Sequence, residues 1–340
     1  MTQPSNQVKV WEQRRYEANR YYQRGKFQES LELATKNLQL ARAIPDRARE
    51  GHTLNDIGLA YLGCWELQTA LECFHQALIV AIELDNAIAQ ATTLSNLGST
   101  YSRLGQFSQA LEYFDKAAKI FRQLKDTQGE VSTLNDVALI YTKLGEPKRA
   151  LLLHHQILAM RRFLGDFSGE ATTLNGIGFA YSTLGQFEKA LQFLEDALPI
   201  QRAVRNLIGE ATTLNNIASI YSDIGQPQQA LLLYHQVLLT RRALSDRSGE
   251  ATTLNNIGYT YSHLAQHRQA LKFYKKAIAI HRELGDRLGE ISTLLNMGSL
   301  YATTKRKKLA RSCYQNAQEL AGEIEYETLL EKVQLFMNSL

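Results

Sequence analysis

The sequence predicts an all-α solenoid of about eight helix–turn–helix repeats, and three observations carry that expectation. Tyrosine occupies one position of a 40-residue register in every copy: Tyr21, Tyr61, Tyr101, Tyr141, Tyr181, Tyr221, Tyr261 and Tyr301. In the same register, 17 of the 21 glycines fall into four slots. Within a copy, apolar residues return at i, i+3, i+4 and i+7, the spacing of one face of a 3.6-residue helix. With slot 1 set at residue 11, 51, 91, 131, 171, 211, 251 or 291, the copies follow one another without an insertion.

The copy from Ala251 to Glu290 shows both helices. Leu254, Ile257, Gly258 and Tyr261 form the stripe of the first; Ala270, Leu271, Tyr274, Ala277, Ile278 and Leu284 form that of the second. Leu104-Gly105, Leu144-Gly145 and Leu184-Gly185 mark the turn between them, because a helix C-terminus favours a residue that reaches the left-handed region. Pro147 and Pro227 open second helices, where the missing N–H has no intrahelical partner to lose. Gly165-Asp166 and Gly285-Asp286 then stop one copy and cap the next. Leucine at slot 4 (Leu54 through Leu294), Gly or Ala at slot 8 and alanine at slots 20 and 27 let helices approach closely. One such hairpin cannot cover its own apolar face, so neighbouring copies must stack.

The array is expected over 11–322, in copies 11–50, 51–90, 91–130, 131–170, 171–210, 211–250, 251–290 and 291–322. Residues 1–10 read as a tail, and 323–340, with Ile324, Leu329, Leu330, Val333 and Phe336, as a capping helix. Arg14 and Glu17 in the first copy, and Thr304 to Lys308 in the last, are polar departures expected of terminal repeats. Pro199 lies inside a second helix, removes the bond to the Glu195 carbonyl and should kink it.

Composition excludes several classes. Hydrophobic residues at 44% and charged residues at 21% fit a folded chain. A net charge of +4 over 340 residues is too dilute for a dedicated phosphate-backbone binder, so no nucleic-acid partner is expected. Cys64, Cys73 and Cys313 form neither a CxxC pair nor a Cys/His zinc spacing, which fits a reducing cytoplasm. No leader-like segment or membrane-length apolar run is read, and no membrane partner is expected. No phosphate loop, GxSxG or HExxH breaks the repeat, so neither catalysis, a metal nor a cofactor is expected. His75, His155 and His235 recur every 80 residues, the trace of a duplicated two-repeat block. At ~9 Å per helix they stand on the order of 35–40 Å apart, too far to share an ion.

Leucine at slot 4, Ile or Leu at 7, Gly or Ala at 8, Tyr at 11, Ala at 20, an aromatic at 24 and Ala at 27 resemble the tetratricopeptide repeat over about residues 11 to 321. The 40-residue spacing, with LNNIG and Tyr as in Leu254 to Tyr261, is similar to kinesin light chains and spindle-orientation adaptors. The GEATTLNNIG type also resembles bacterial, especially cyanobacterial, arrays that accompany protease or kinase effectors. The resemblance implies a right-handed superhelix whose first helices line a concave groove.

Slots 2, 5, 6, 9, 12 and 13 lie opposite the packing stripe, and the resemblance turns them into that groove. Slot 5 holds Asn55, Asn135, Asn175, Asn215 and Asn255, with Ser95 and Leu295 as exceptions; slot 6 adds Asn96, Asn216, Asn256 and Asn296, with Asp56 and Asp136. An amide offers a donor and an acceptor together, which suits pairing with the backbone of an extended peptide. The same asparagines also suit bonding between adjacent helices. Phe179 and Tyr259 at slot 9, and Arg103 and Lys143 at slot 13, would tune specificity. Slot 5 carries no lysine and slot 2 holds Thr172, Thr212 and Thr252, so the carboxylate clamp of chaperone-tail-binding relatives is not expected. Arg42, Arg122, Arg162, Arg202, Arg242 and Arg282 at slot 32 are expected to offset the helix macrodipole, and Glu130, Glu170, Glu210, Glu250 and Glu290 to sit in the following first turn. The reading is a cytoplasmic, non-enzymatic scaffold that binds a protein or peptide segment, with room for self-association through its terminal repeats. The alternative keeps the fold and makes it a regulatory or peptide-sensing module acting on a separate effector; RNA binding stands third.

Overall fold

The computed structural model describes residues 4–323 and 327–340, with Pro4, Ser5, Lys143, Glu327 and Thr328 as backbone only. Its first helices are α1 (Pro4–Gln23), α3 (Arg47–Gly63), α5 (Ala87–Arg103), α7 (Thr127–Lys143), α9 (Phe167–Thr183), α11 (Leu207–Asp223), α13 (Arg247–His263) and α15 (Arg287–Thr303). Its second helices are α2 (Phe27–Ala43), α4 (Leu67–Glu83), α6 (Phe107–Leu124), α8 (Pro147–Leu164), α10 (Phe187–Ala203), α12 (Pro227–Ala243), α14 (His267–Leu284) and α16 (Lys307–Glu323), and α17 (Glu327–Asn338) follows. The fold is an all-α solenoid, without a strand among the described residues. It divides into two compact units, Met1–Ile140 and Tyr141–Leu340.

Each first helix begins ahead of slot 1, as α13 at Arg247 does, so a structural hairpin straddles two copies of the sequence register. The start is set by Asx caps: Asp166, Asn206, Asp246 and Asp286 accept from the N–H of Gly169, Gly209, Gly249 and Gly289. The turn within each hairpin places one left-handed residue at slot 15. It is glycine at Gly105 and Gly185, but Trp65, Ala265 and Lys305 adopt the same backbone at φ 63°, 55° and 61°. The polar run of the last repeat therefore keeps the standard turn.

In the first unit Phe74 and Phe114 are fully buried, each ring against a slot-8 glycine; a Cβ on Gly98 would meet Phe114 at 2.9 Å. In the second unit Tyr274 and Tyr314 lie on Gly258 and Gly298 in the same way. Burying each such ring contributes about 1.5–3 kcal/mol.

Both ends depart from, or fill in, the expected boundaries. Residues 1–10 were expected as a tail, yet α1 starts at Pro4 because Val8 and Trp11, one turn apart, have a site to fill against Ala41 and Ile44. The Trp11 indole N–H donates to Thr53 Oγ1 at 2.9 Å. At the other end Val333 is buried beside Tyr314, Ala317 and Ala321, with Leu329, Leu330 and Phe336 packed around it, while Ile324 lies outside the described residues. Helix α10 continues through Pro199 to Ala203, so the proline does not end it. No described helix is long and apolar enough to cross a membrane.

Candidate functional site

The candidate site is the face of the first helices that carries slots 2, 5, 6, 9 and 13. Its framework is a row of threonines at slot 3, the side chains of Thr93, Thr133, Thr173, Thr213, Thr253 and Thr293 being almost wholly buried. All six donate to the carbonyl one turn back, Thr213 to Gly209 O at 2.9 Å, for example, which leaves the oxygen's lone pairs for a neighbour. Asn55 and Asn175 use that acceptor, donating from Nδ2 to Thr93 Oγ1 at 2.8 Å and Thr213 Oγ1 at 2.6 Å. In the next pair the Thr253 hydroxyl shares its one proton between Gly249 O at 3.0 Å and Asn215 Oδ1 at 3.3 Å.

Slot 6 closes the network. Asn96 donates to Asn55 Oδ1 at 3.1 Å, Asn216 to Asn175 Oδ1 at 3.4 Å, Asn256 to Asn215 Oδ1 at 3.5 Å and Asn296 to Asn255 Oδ1 at 3.1 Å. Asn255 in turn donates to Asn256 Oδ1 at 3.4 Å. Asn175 and Asn215 are only 8% and 5% exposed, so their amides serve the contact between repeats. Asn55, Asn135 and Asn255 are half-buried, as are Asn96, Asn216, Asn256 and Asn296 at slot 6. The groups left facing outward are therefore at slot 6 more than at slot 5. Asp56, the acidic departure at slot 6, is held by Arg15 Nε at 2.7 Å.

Slots 9 and 13 supply the contrast along this face. Phe179 and Tyr259 are exposed at 47% and 36%, unusual for large rings without a partner element. The Tyr259 ring meets His263 with centroids 4.3 Å apart and the planes tilted by 50°. Arg103 is committed elsewhere: its guanidinium donates to Leu62 O at 3.2 Å and covers the Trp65 ring, tying it to the end of α3. The Lys143 side chain lies outside the described residues.

Hollows open on this face in both units. In the first unit, α5 and α7 flank one of about 410 Å³ where Ser95, bonded to Thr133 at 3.2 Å, replaces the longer asparagine. In the second unit, α13 and α15 flank one of about 310 Å³ above Tyr274.

The periodic charges are latches. Arg42, Arg122, Arg162, Arg202, Arg242 and Arg282 pair with Glu50, Glu130, Glu170, Glu210, Glu250 and Glu290 at 2.6–2.8 Å, joining the end of one second helix to the start of the next first helix. Desolvation pushes the Glu250 carboxyl up, but hydrogen bonds from Arg242 and Arg247 outweigh it and hold the group below its ordinary value. Beneath the latches a slot-31 side chain lies over the slot-39 glycine, Phe121 over Gly129 in the first unit and polar Arg161, Gln201, Arg241 and His281 in the second: a Cβ on Gly249 would collide with the Arg241 guanidinium. That glycine is a packing requirement inside the helix. The repeated histidines have a local role too, His75 and His155 standing edge-on to Tyr113 and Phe193 of the following repeat. His154 brings an imidazole to slot 24, where Phe74, Phe114, Tyr234, Tyr274 and Tyr314 carry a phenyl or phenol ring: burial, then His155 and Arg161, push it down to about 4, and its Nδ1 has no partner. Among the described residues no group of three or more His, Cys, Asp or Glu side chains could hold a metal ion.

Comparison with known proteins agrees with this architecture. The apo quorum sensor NprR from B. thuringiensis superposes with a TM-score of 0.71 at 15% identity, covering 92% of this chain and 87% of that one. The Rap conjugation gene regulator of plasmid pLS20, solved in complex with the Phr* peptide, gives 0.66 at 15% identity, covering 96% of each chain. The kinesin light chain TPR-like repeats from Podosopora anserina give 0.50 at 19% identity, covering 61% of this chain and 99% of theirs. At such identities these likenesses speak to the fold. No curated protein sequence matches the chain. The tetratricopeptide repeat family model matches residues 66–123, 129–203, 209–283 and 249–323. On the register, the hairpins and that match together, the chain belongs to the tetratricopeptide repeat family.

Proposed function

We propose that this protein is a non-catalytic scaffold that holds an extended segment of a partner polypeptide against the exposed face of its first helices. The observation that carries the proposal is the composition of that face in the second unit: Asn216, Asn256 and Asn296 remain half-exposed after their bridging bonds, and Phe179 and Tyr259 stand outward among them. Amides paired to backbone and aromatic rings paired to side chains are the two components of extended-peptide recognition. Lysines are sparse on this face, which supports a polypeptide over a phosphate backbone.

The peptide-sensing alternative has its own support. NprR is a quorum sensor, and the pLS20 Rap regulator is solved with a peptide bound, on folds that cover nearly the whole of this chain. Both readings use the same face and differ in whether occupancy changes a separate effector. Capture from lysate by the wild type and by an Asn216→Ala/Asn256→Ala/Asn296→Ala variant tests the shared step. The partner should be lost or weakened about tenfold in the variant at unchanged melting temperature; equal capture contradicts the proposal.

A further inference from the structure

Helix α14 brings Tyr274 to the base of the hollow between α13 and α15, where its side chain is 1% exposed and its hydroxyl has no hydrogen-bond partner among the described residues. The preceding repeat shows what is missing. There the equivalent Tyr234 is equally buried, and Ser219 at slot 9 stands close enough to its hydroxyl to counter part of the upward push of burial. In the Tyr274 repeat slot 9 is Tyr259, whose ring turns outward onto His263 and supplies no short hydroxyl to its neighbour. Burial first, then Tyr259, push the Tyr274 hydroxyl up from its ordinary value, so it keeps its proton and remains a donor. A protonated hydroxyl on the floor of an open hollow, with no partner from the protein, is a place where a ligand group completes the bonding.

The lining decides the class of that group. The flat ring of Tyr259 and the side chain of Leu300 form apolar walls, Ser262, Ser299 and Thr303 add hydroxyls, Asn296 an amide and His263 and His267 imidazoles, and no Lys, Arg, Asp or Glu side chain lines the hollow. A charged tip would enter without a carboxylate, ammonium or guanidinium partner. A wholly apolar ring would cover the Tyr274 hydroxyl and leave it unsatisfied. At about 310 Å³ the hollow has the volume of roughly ten waters, more than a short polar side chain fills. A phenol meets all three conditions, with a flat body, a neutral tip and one group that both donates and accepts.

We propose that this hollow is the specificity pocket for a tyrosine side chain of the bound segment, its ring against Tyr259 and its hydroxyl on Tyr274. The assignment rests on the reading that this face takes a polypeptide. It sets a sequence preference that the amides, which read backbone, cannot set.

The test uses single-residue probes on the full chain. N-acetyl-tyrosinamide, N-acetyl-phenylalaninamide and N-acetyl-glutamate amide are titrated while the Leu300 methyl signals are followed by NMR. The tyrosine probe should shift those signals and bind about 3- to 10-fold more tightly than the phenylalanine probe, the range of one neutral hydrogen bond. Tyr274→Phe keeps the ring packed on Gly258 and should erase that preference without changing the phenylalanine probe's affinity, whereas Tyr259→Ala should weaken both. Equal affinities in the wild type, a preference that survives Tyr274→Phe, or tightest binding by the glutamate probe would overturn the assignment. The probes contain no extended backbone, so a partner segment that maps to the second helices while the tyrosine preference stands contradicts the functional reading and not the pocket.

Discussion

Slot 5 on α5, in the first unit, contrasts with slot 5 in the second unit, although Asn55 of the first unit bonds Thr93 as Asn175 bonds Thr213. In the second, Asn175 and Asn215 are long enough to reach the next repeat, and the amides of α9, α11, α13 and α15 interlock through Thr213, Asn216, Asn256 and Asn296. In the first, Ser95 on α5 spans the same gap with a single hydroxyl, and a hollow of about 410 Å³ remains. Slot 5 in this chain is thus a spacer between helices, and the proposed recognition surface is what the spacer leaves uncovered.

The largest effect should come from breaking the interlocked side. Asn175→Ala removes a buried donor and acceptor together and should cost about 2 kcal/mol, against about 0.5 kcal/mol for Ser95→Ala, in denaturant unfolding followed by hydrogen exchange in each unit. Equal losses would show that the two bridges are equivalent. The second contrast is acid sensitivity. Slot 24 carries Phe74 on α4 and Phe114 on α6 in the first unit, and the buried His154 on α8 in the second. A histidine whose folded value is depressed binds its proton in the unfolded chain first, so stability falls as pH drops from its ordinary 6.5 toward about 4, by up to ~1.4 kcal/mol per pH unit. Exchange protection around α8 should fade over that window while α4 and α6 hold, and His154→Phe should remove the difference.

A smaller effect concerns the latches. Arg242→Ala should cost about 1 kcal/mol at neutral pH, a modest figure because the arginine is half-exposed. Glu250 is held below its ordinary 4.5, so its contribution is present above that value and lost as pH falls through its folded one; the penalty of Arg242→Ala should shrink in acid, measured as melting temperature against pH. Smallest of all, Lys305→Gly and Ala265→Gly should each stabilise by about 0.5–1 kcal/mol in thermal unfolding, because both residues hold a left-handed backbone that glycine adopts freely. The reverse exchange, Gly105→Ala, should destabilise.

Much of the fold was legible because the register repeats its punctuation: glycine at slot 15, Asp166 and Asp286 as caps, and an apolar C-terminal stripe. What escaped reading depends on neighbours that only the stacked chain provides. Thr213 looks like an ordinary helical threonine until Asn175, 38 positions earlier, is placed beside it. Arg242 and Glu250 each satisfy a macrodipole argument separately, and only the turn between them brings the charges to 2.7 Å. Nothing in the sequence separates Gly249 from a turn glycine, although it lies in the first turn of α13 to admit Arg241. Within the candidate site, chemical type was readable and depth was not. Asn215 and Asn216 are the same residue one position apart, but a single step around a helix turns a side chain by about 100°, from the crowded flank to the open face. One repeat earlier the residue after Asn175 is Gly176, against which His154 packs, so that repeat presents no slot-6 amide at all.

The central claim is that a partner lies on the exposed face of the first helices. It is tested most directly by photo-crosslinking from p-benzoylphenylalanine placed at Thr252, exposed at slot 2 of α13, and in parallel at Leu232, 72% exposed on α12. The account predicts that crosslinks from Thr252 join one continuous partner segment and that Leu232 yields none; crosslinks from Leu232 with none from Thr252 would contradict it.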